Sequence, residues 1–123
     1  MNIIITERGW GGHLICAHKC HFRRNTLIEL GDKRIVVSTV GAMKNEDYSY
    51  EEIGVDRHFE TMAFDAHYTE PYWDACVHKQ LNFESQWCIK GVDFTSDNRA
   101  NDMHDTVVKE FCKKLKQENK SEV

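Results

Sequence analysis

Ala100, Met103, Val107, Val108, Phe111, Cys112 and Leu115 recur at intervals of three and four residues, and this stripe constrains the fold more than any other feature of the chain. The spacing puts these apolar side chains on one face of an α-helix. Asp97, Asp102 and Asp105 stand near its start, and Lys113, Lys114 and Lys116 near its end, an order that complements the helix dipole. Ser96-Asp97-Asn98 is the expected start. A helix this apolar on one side needs a surface to cover it, and the segments before it read as strands.

The clearest strand signal is Thr26–Leu30 and Arg34–Val40 around Gly31-Asp32-Lys33, a β-hairpin with a Gly-Asp turn. Ile3–Thr6, His13–Ala17, Arg57–Tyr68 and Tyr72–Phe83 read as further strands, with Gln86–Lys90 as one more. Gly9–Gly12 is a turn, and the polar, acidic run Gly41–Glu52 reads as a loop. The expectation is an α+β fold. A single domain over residues 1–123 builds an antiparallel sheet of about five to seven strands, with one long C-terminal amphipathic helix packed on it. Cys112 widens the helix stripe beyond what one packing face needs, so the helix is also expected at a subunit interface of a homo-oligomer.

Composition excludes several classes. With 41% hydrophobic residues, six Phe, four Tyr and three Trp, the chain is not of the disordered type. Ile3-Ile4-Ile5 is too short for the apolar part of a leader, and no apolar run approaches a membrane span, so a cytoplasmic protein is expected. The five cysteines are odd in number and scattered, as free thiols are. Residues 1–24 carry Arg8, Lys19, Arg23 and Arg24 against Glu7, whereas residues 46–74 carry nine acids against Arg57 alone. A surface for DNA or RNA needs a continuous basic face, which this polarity denies. A focused anion site is compatible with it.

The chemistry-bearing residues concentrate early. Arg8-Gly9-Trp10-Gly11-Gly12-His13 and His18-Lys19-Cys20-His21-Phe22-Arg23-Arg24-Asn25 combine glycines, a stacking ring and planar cations. His13, Cys16, His18, Cys20 and His21 are good zinc ligands, but no second close pair completes a tetrahedral set, so neither a metal nor an organic cofactor is expected. Asp56-Arg57-His58 and Asn101-Asp102-Met103-His104 contain acid–base pairs without a hydrolase or two-metal pattern, and His104 is expected at the surface. A binding pocket suits the residues better than catalysis. Trp10, Phe22 and Phe59 can stack on a purine; Arg23, Arg24 and Arg57 can hold a pyrophosphate; Asn25, Asn98 and Asn101 can read polar edges. On a strand from Arg57, alternation would set Arg57, Phe59 and Thr61 side by side.

Six strings carry a resemblance across nearly the whole chain: Glu7–His13, Phe22–Leu27, Val37–Gly41, Glu60–Phe64, Tyr72–Ala75 and Ala100–His104. They resemble the phage and prophage family of anti-Thoeris sponges of the first type. That resemblance implies a phage-encoded protein acting in the cytoplasm of the infected bacterial host. It would bind and sequester a cyclic ADP-ribose isomer, or a cyclic oligonucleotide, without cleaving it, as a homo-oligomer and not as an enzyme. It further implies arginines, a stacking ring and an asparagine in the pocket, hence Arg24, Arg57 and Asn101, with the ring among Trp10, Phe59 and Phe83. No arginine lies on the helix beyond Arg99, so a helix-borne phosphate contact falls to Lys109 or to a histidine such as His104. Two other classes compete: a nucleotide-degrading enzyme, and a protein-binding, anti-CRISPR-like inhibitor that works through the acidic face.

Overall fold

The computed structural model describes the backbone of residues 2–8, 17–54, 56–69 and 72–121. Among the described residues six strands form one antiparallel sheet: β1 (Ile4–Glu7), β2 (Cys20–Leu30), β3 (Lys33–Lys44), β4 (Tyr50–Glu51), β5 (Phe59–Thr69) and β6 (Tyr72–Leu81). Their order is β1-β2-β3-β5-β6, with β4 paired to the end of β3. A 3₁₀ turn, Ala17–Lys19, leads into β2, and the helix α1 (Phe94–Ser121) follows the sheet. This is the expected α+β architecture.

The β2–β3 hairpin forms around Gly31 and Asp32, with Leu30 opposite Lys33. Gly31 takes φ +61° at the first central position, a conformation open to glycine. In register, Ile28 faces Ile35, Val37 faces Ala63 and Gly41 faces Phe59, so these residues share the side of the sheet that α1 covers. There they pack with Ala100, Met103, Val107, Val108, Phe111 and Leu115, all buried within the single chain. The helix stripe is therefore consumed by its own sheet, and half-buried Cys112 packs against the same core. The expected contribution of the stripe to a subunit interface is corrected accordingly.

Several boundaries differ from expectation for physical reasons. Gly41–Lys44 belongs to β3 and not to a loop, because Gly41 leaves room for the Phe59 ring and Ala42 is fully buried. β5 begins at Phe59, and Arg57 sits outside it in an isolated bridge with Gly54. Arg57, Phe59 and Thr61 thus do not form the expected row. Gln86–Lys90 forms no strand: the Gln86 side chain takes the place of a neighbour on β5, donating to Thr61 O at 2.6 Å and accepting from Thr61 N at 3.3 Å. The helix starts at Phe94 because the Asp93 carboxylate accepts from Ser96 N at 2.9 Å, which makes Asp93 the cap and Ser96 a buried third residue. The expected turn Gly9–Gly12 lies outside the described residues. So does residue 13–16 of the expected strand, whose last residue, Ala17, opens the 3₁₀ turn instead.

Candidate functional site

A band of polar side chains crosses the helix-facing side of the sheet. Antiparallel register aligns Glu7 of β1 with Thr26 of β2, and Arg24 of β2 with Thr39 of β3 and Thr61 of β5. The N-terminal half of α1 lies over this band and lowers His104 into it. His104 is fully buried. Its Nε2 lies 2.7 Å from Thr26 Oγ1 and its Nδ1 lies 2.7 Å from Thr39 Oγ1, which in turn lies 2.6 Å from Thr61 Oγ1. Thr26 donates to Glu7 Oε1 at 2.7 Å. The result is one hydrogen-bonded chain, Glu7–Thr26–His104–Thr39–Thr61, running across four strands.

Arg24 anchors the outer end. Its Nε and Nη2 grip the Glu7 carboxylate at 3.2 and 2.9 Å, and its Nη1 reaches Asp105 at 2.7 Å and the Asn101 carbonyl at 3.4 Å. Burial works to raise the Glu7 carboxyl, but the bonds from Arg24 and Thr26 and the Arg24 charge outweigh it and hold the group below its ordinary value. Burial likewise opposes the Arg24 charge, and the bonds to Glu7 and Asp105 reverse that and raise it. For His104 burial prevails, aided by the Arg24 charge, and its pKa falls from 6.5 to about 4. A neutral imidazole sealed between hydroxyls positions the helix on the sheet; it meets no solvent and so cannot exchange a proton with a ligand directly.

A second set of nominated residues meets elsewhere. Arg57 and Phe83 line a pocket of about 190 Å³ with Glu60, Thr61, Gln80, Asn82 and Gln86. Arg57 Nη2 donates to Glu60 at 3.0 Å, while its buried Nε has no acceptor among the described residues. Thr61 belongs both to this pocket and to the buried chain, so the two sets are joined through it.

The remaining nominated residues are dispersed. Phe59 is fully buried, edge-on to Phe22 at 5.8 Å and to His21 at 6.1 Å, and offers no face to a ligand. Arg23 and Asn25 alternate with Arg24 and lie on the other face of β2, where Asn25 Oδ1 accepts from Arg8 Nε at 2.8 Å. Asn101 is exposed, and its carbonyl meets Arg24. Trp10 lies outside the described residues. His104 is buried and not at the surface as expected.

The grouping of Glu7, Thr26, Thr39, Thr61 and Asp105 has one signal in the sequence: His104 stands four residues from Ala100 and from Val108, on the apolar stripe itself, and threonines stand at the matching strand positions. Among the described residues no three His, Cys, Asp or Glu side chains converge on a metal position. A larger cavity, about 520 Å³, lies beside Lys33, Arg34, Asp65, Lys79, Phe111 and Lys114 and is lined by none of the nominated residues. Most of its cations are already paired, Lys33 with Glu118, Arg34 with Glu29 and Lys114 with Glu110.

Comparison with known families, curated proteins and solved structures finds no match to this chain. Among the described residues no helix is long and apolar enough to cross a membrane.

Proposed function

We propose that this chain binds and sequesters a cyclic nucleotide, of the cyclic ADP-ribose isomer or cyclic oligonucleotide class, without cleaving it, and that it serves a phage in the cytoplasm of an infected bacterium. The observation that carries this reading is the pocket that unites Arg57, Phe83 and the amides Gln80, Asn82 and Gln86. A guanidinium suits a phosphate, a ring suits a base, and amides suit base edges and hydroxyls. Arg57 donates to Glu60 through Nη2, and its side chain stays 27% exposed, so the guanidinium can still offer an edge to a phosphate.

The pocket's 190 Å³ is less than sites for whole small molecules normally provide. It suits part of a nucleotide, with the rest held by a second copy, in line with a homo-oligomer whose pockets lie near subunit boundaries. Arg24 adds a cation at the other end of the buried chain, where an incoming anion competes with Glu7 and Asp105. Sequestration requires tight binding: nanomolar affinity is about −12 kcal/mol, and stacking contributes roughly 1–3 kcal/mol per base. A sponge needs no nucleophile–base pair.

The test is to incubate the purified protein with cyclic ADP-ribose isomers and cyclic oligonucleotides, remove unbound material, denature by heat and assay what is released. Intact ligand supports the proposal. Cleaved product would assign an enzyme instead, and no retained nucleotide would overturn the reading.

A further inference from the structure

The turn between β3 and β4 displays its most exposed ring on a backbone that side chains rarely adopt. Tyr48 is 76% exposed and stands at φ +69°. A bulky residue there is a genuine outlier, retained only where its surroundings dictate it. Here they do. Asn45 N donates to Ser49 O at 2.8 Å, Tyr48 N to Asn45 O at 3.0 Å, and Ser49 N to the Asp47 carboxylate at 3.0 Å. The ring is thus held out in solvent on a firmly bonded turn.

Tyr50 stands next to it on β4, 37% exposed, its ring edge-on to His21 at 6.1 Å. Lys44 Nζ lies 4.8 Å from the Tyr48 ring centre and 5.9 Å from that of Tyr50. Both rings therefore already face a cation, and the chain's own lysine shows the geometry that they accept. Around them Glu46, Asp47, Glu51 and Glu52 are all exposed, so residues 44–52 carry four acids against Lys44 alone.

We propose that Tyr48, Tyr50 and these carboxylates form a docking surface for an arginine-rich face of a protein partner. Charge complementarity selects a basic partner. The rings select arginine over lysine, because a guanidinium stacks flat on an aromatic face while its edge donates to carboxylates. Exposed tyrosines on a preformed turn give up little side-chain freedom on binding and are enriched among residues that dominate interface energy. The surface shares no residue with the Arg24 network or the Arg57 pocket, so it stands apart from the nucleotide reading.

The test is titration of the full chain with an oligoarginine and an oligolysine peptide of equal length. The variants are a double substitution, Tyr48→Asn with Tyr50→Ser, and Arg57→Ala. Asparagine tolerates the left-handed backbone at position 48, so the double variant keeps its fold while losing both rings, and an unchanged Tm checks this. The expected result is several-fold tighter binding of oligoarginine. The double variant weakens that binding about fivefold or more and abolishes the preference, and Arg57→Ala leaves it intact. Equal binding of the two peptides, or a preference that survives loss of both rings, would overturn the proposal as mere charge attraction. A preference lost in Arg57→Ala alone would place the contact in the pocket and overturn it as well.

Discussion

His104 Nε2 lies 2.7 Å from Thr26 Oγ1, and that contact has only one polarity. Ionised Glu7 can only accept, so the single hydroxyl proton of Thr26 goes to it. Thr26 must then accept from His104, which puts the imidazole proton on Nε2. Nδ1 is left to accept from Thr39, and Thr39 to accept from Thr61. One surface carboxylate thereby sets the direction of every bond in a chain that ends at the Arg57 pocket.

The first prediction follows from that inventory. Nitrogen-15 correlation spectra at neutral pH should show His104 as the neutral Nε2–H tautomer. A Glu7→Gln variant can donate to Thr26, which permits the whole chain to reverse and move the proton to Nδ1. A wild-type protein with the proton on Nδ1, or a charged ring at pH 7, would sink this account.

The second concerns acid. The His104 pKa is depressed from 6.5 to about 4, so between these values the unfolded chain binds a proton that the folded chain refuses. Stability is complete above about pH 6.5 and declines as pH falls towards 4, by about 3 kcal/mol in all. The Glu7 carboxyl is also depressed, from 4.5, so its contribution is present above that value and is lost below it. Acid should therefore act in two adjoining stages, the imidazole first. Urea midpoints that stay flat from pH 7 to 4.5 would contradict the burial of His104.

The order of elements was readable because each rests on local pattern: period-two runs for the strands and period-three-and-four for α1. The partners of His104 were not, because Thr26 and Thr39 lie 78 and 65 residues away in sequence, and only the strand register brings them under the helix. Arg57 shows the opposite failure. Alternation alone predicts a strand from Arg57, but β5 starts two residues later, at Phe59, and an isolated bridge to Gly54 holds Arg57 outside it. Gly41 looked like a loop residue, since glycine is usually punctuation; here it is a gap into which a ring fits.

That gap is testable. A side chain at position 41 would collide with the Phe59 ring and the His58 carbonyl. Gly41→Ala should cost about 1–3 kcal/mol, the usual range for forcing extra atoms into a packed core. Reducing Phe59 to Leu in the same chain should recover part of the loss. A Gly41→Ala protein with wild-type Tm would mean that the ring and strand do not approach as described.

The two candidate arginines should separate by phenotype. Arg57 forms a partly exposed ion pair with the Glu60 carboxylate, so Arg57→Ala should weaken nucleotide binding by about 2 kcal/mol and leave Tm nearly unchanged. Arg24→Ala leaves Glu7 and Asp105 facing each other without their shared cation. It should lower Tm as well as affinity, and raising the salt concentration should restore part of the Tm by screening the two carboxylates. Wild-type affinity in both variants would remove both residues from the site.

The last prediction concerns assembly. The apolar stripe of α1 is buried by its own sheet, so a homo-oligomer must use other surface. β1 supplies it: Ile4 is 59% and Ile5 51% exposed, and the strand pairs only with β2 among the described strands. An outer strand with open backbone groups and apolar side chains is a template for pairing. Two copies related by a two-fold axis normal to the sheet would bring β1 against β1 in antiparallel register. Light scattering at micromolar concentration should therefore give a multiple of 14.4 kDa. Ile5→Lys, a charge on an exposed edge position, should return the monomer without lowering Tm, because the side chain it replaces is half in solvent already. A wild-type monomer would refute the assembly, and an oligomer that survives Ile5→Lys intact would move its interface away from β1.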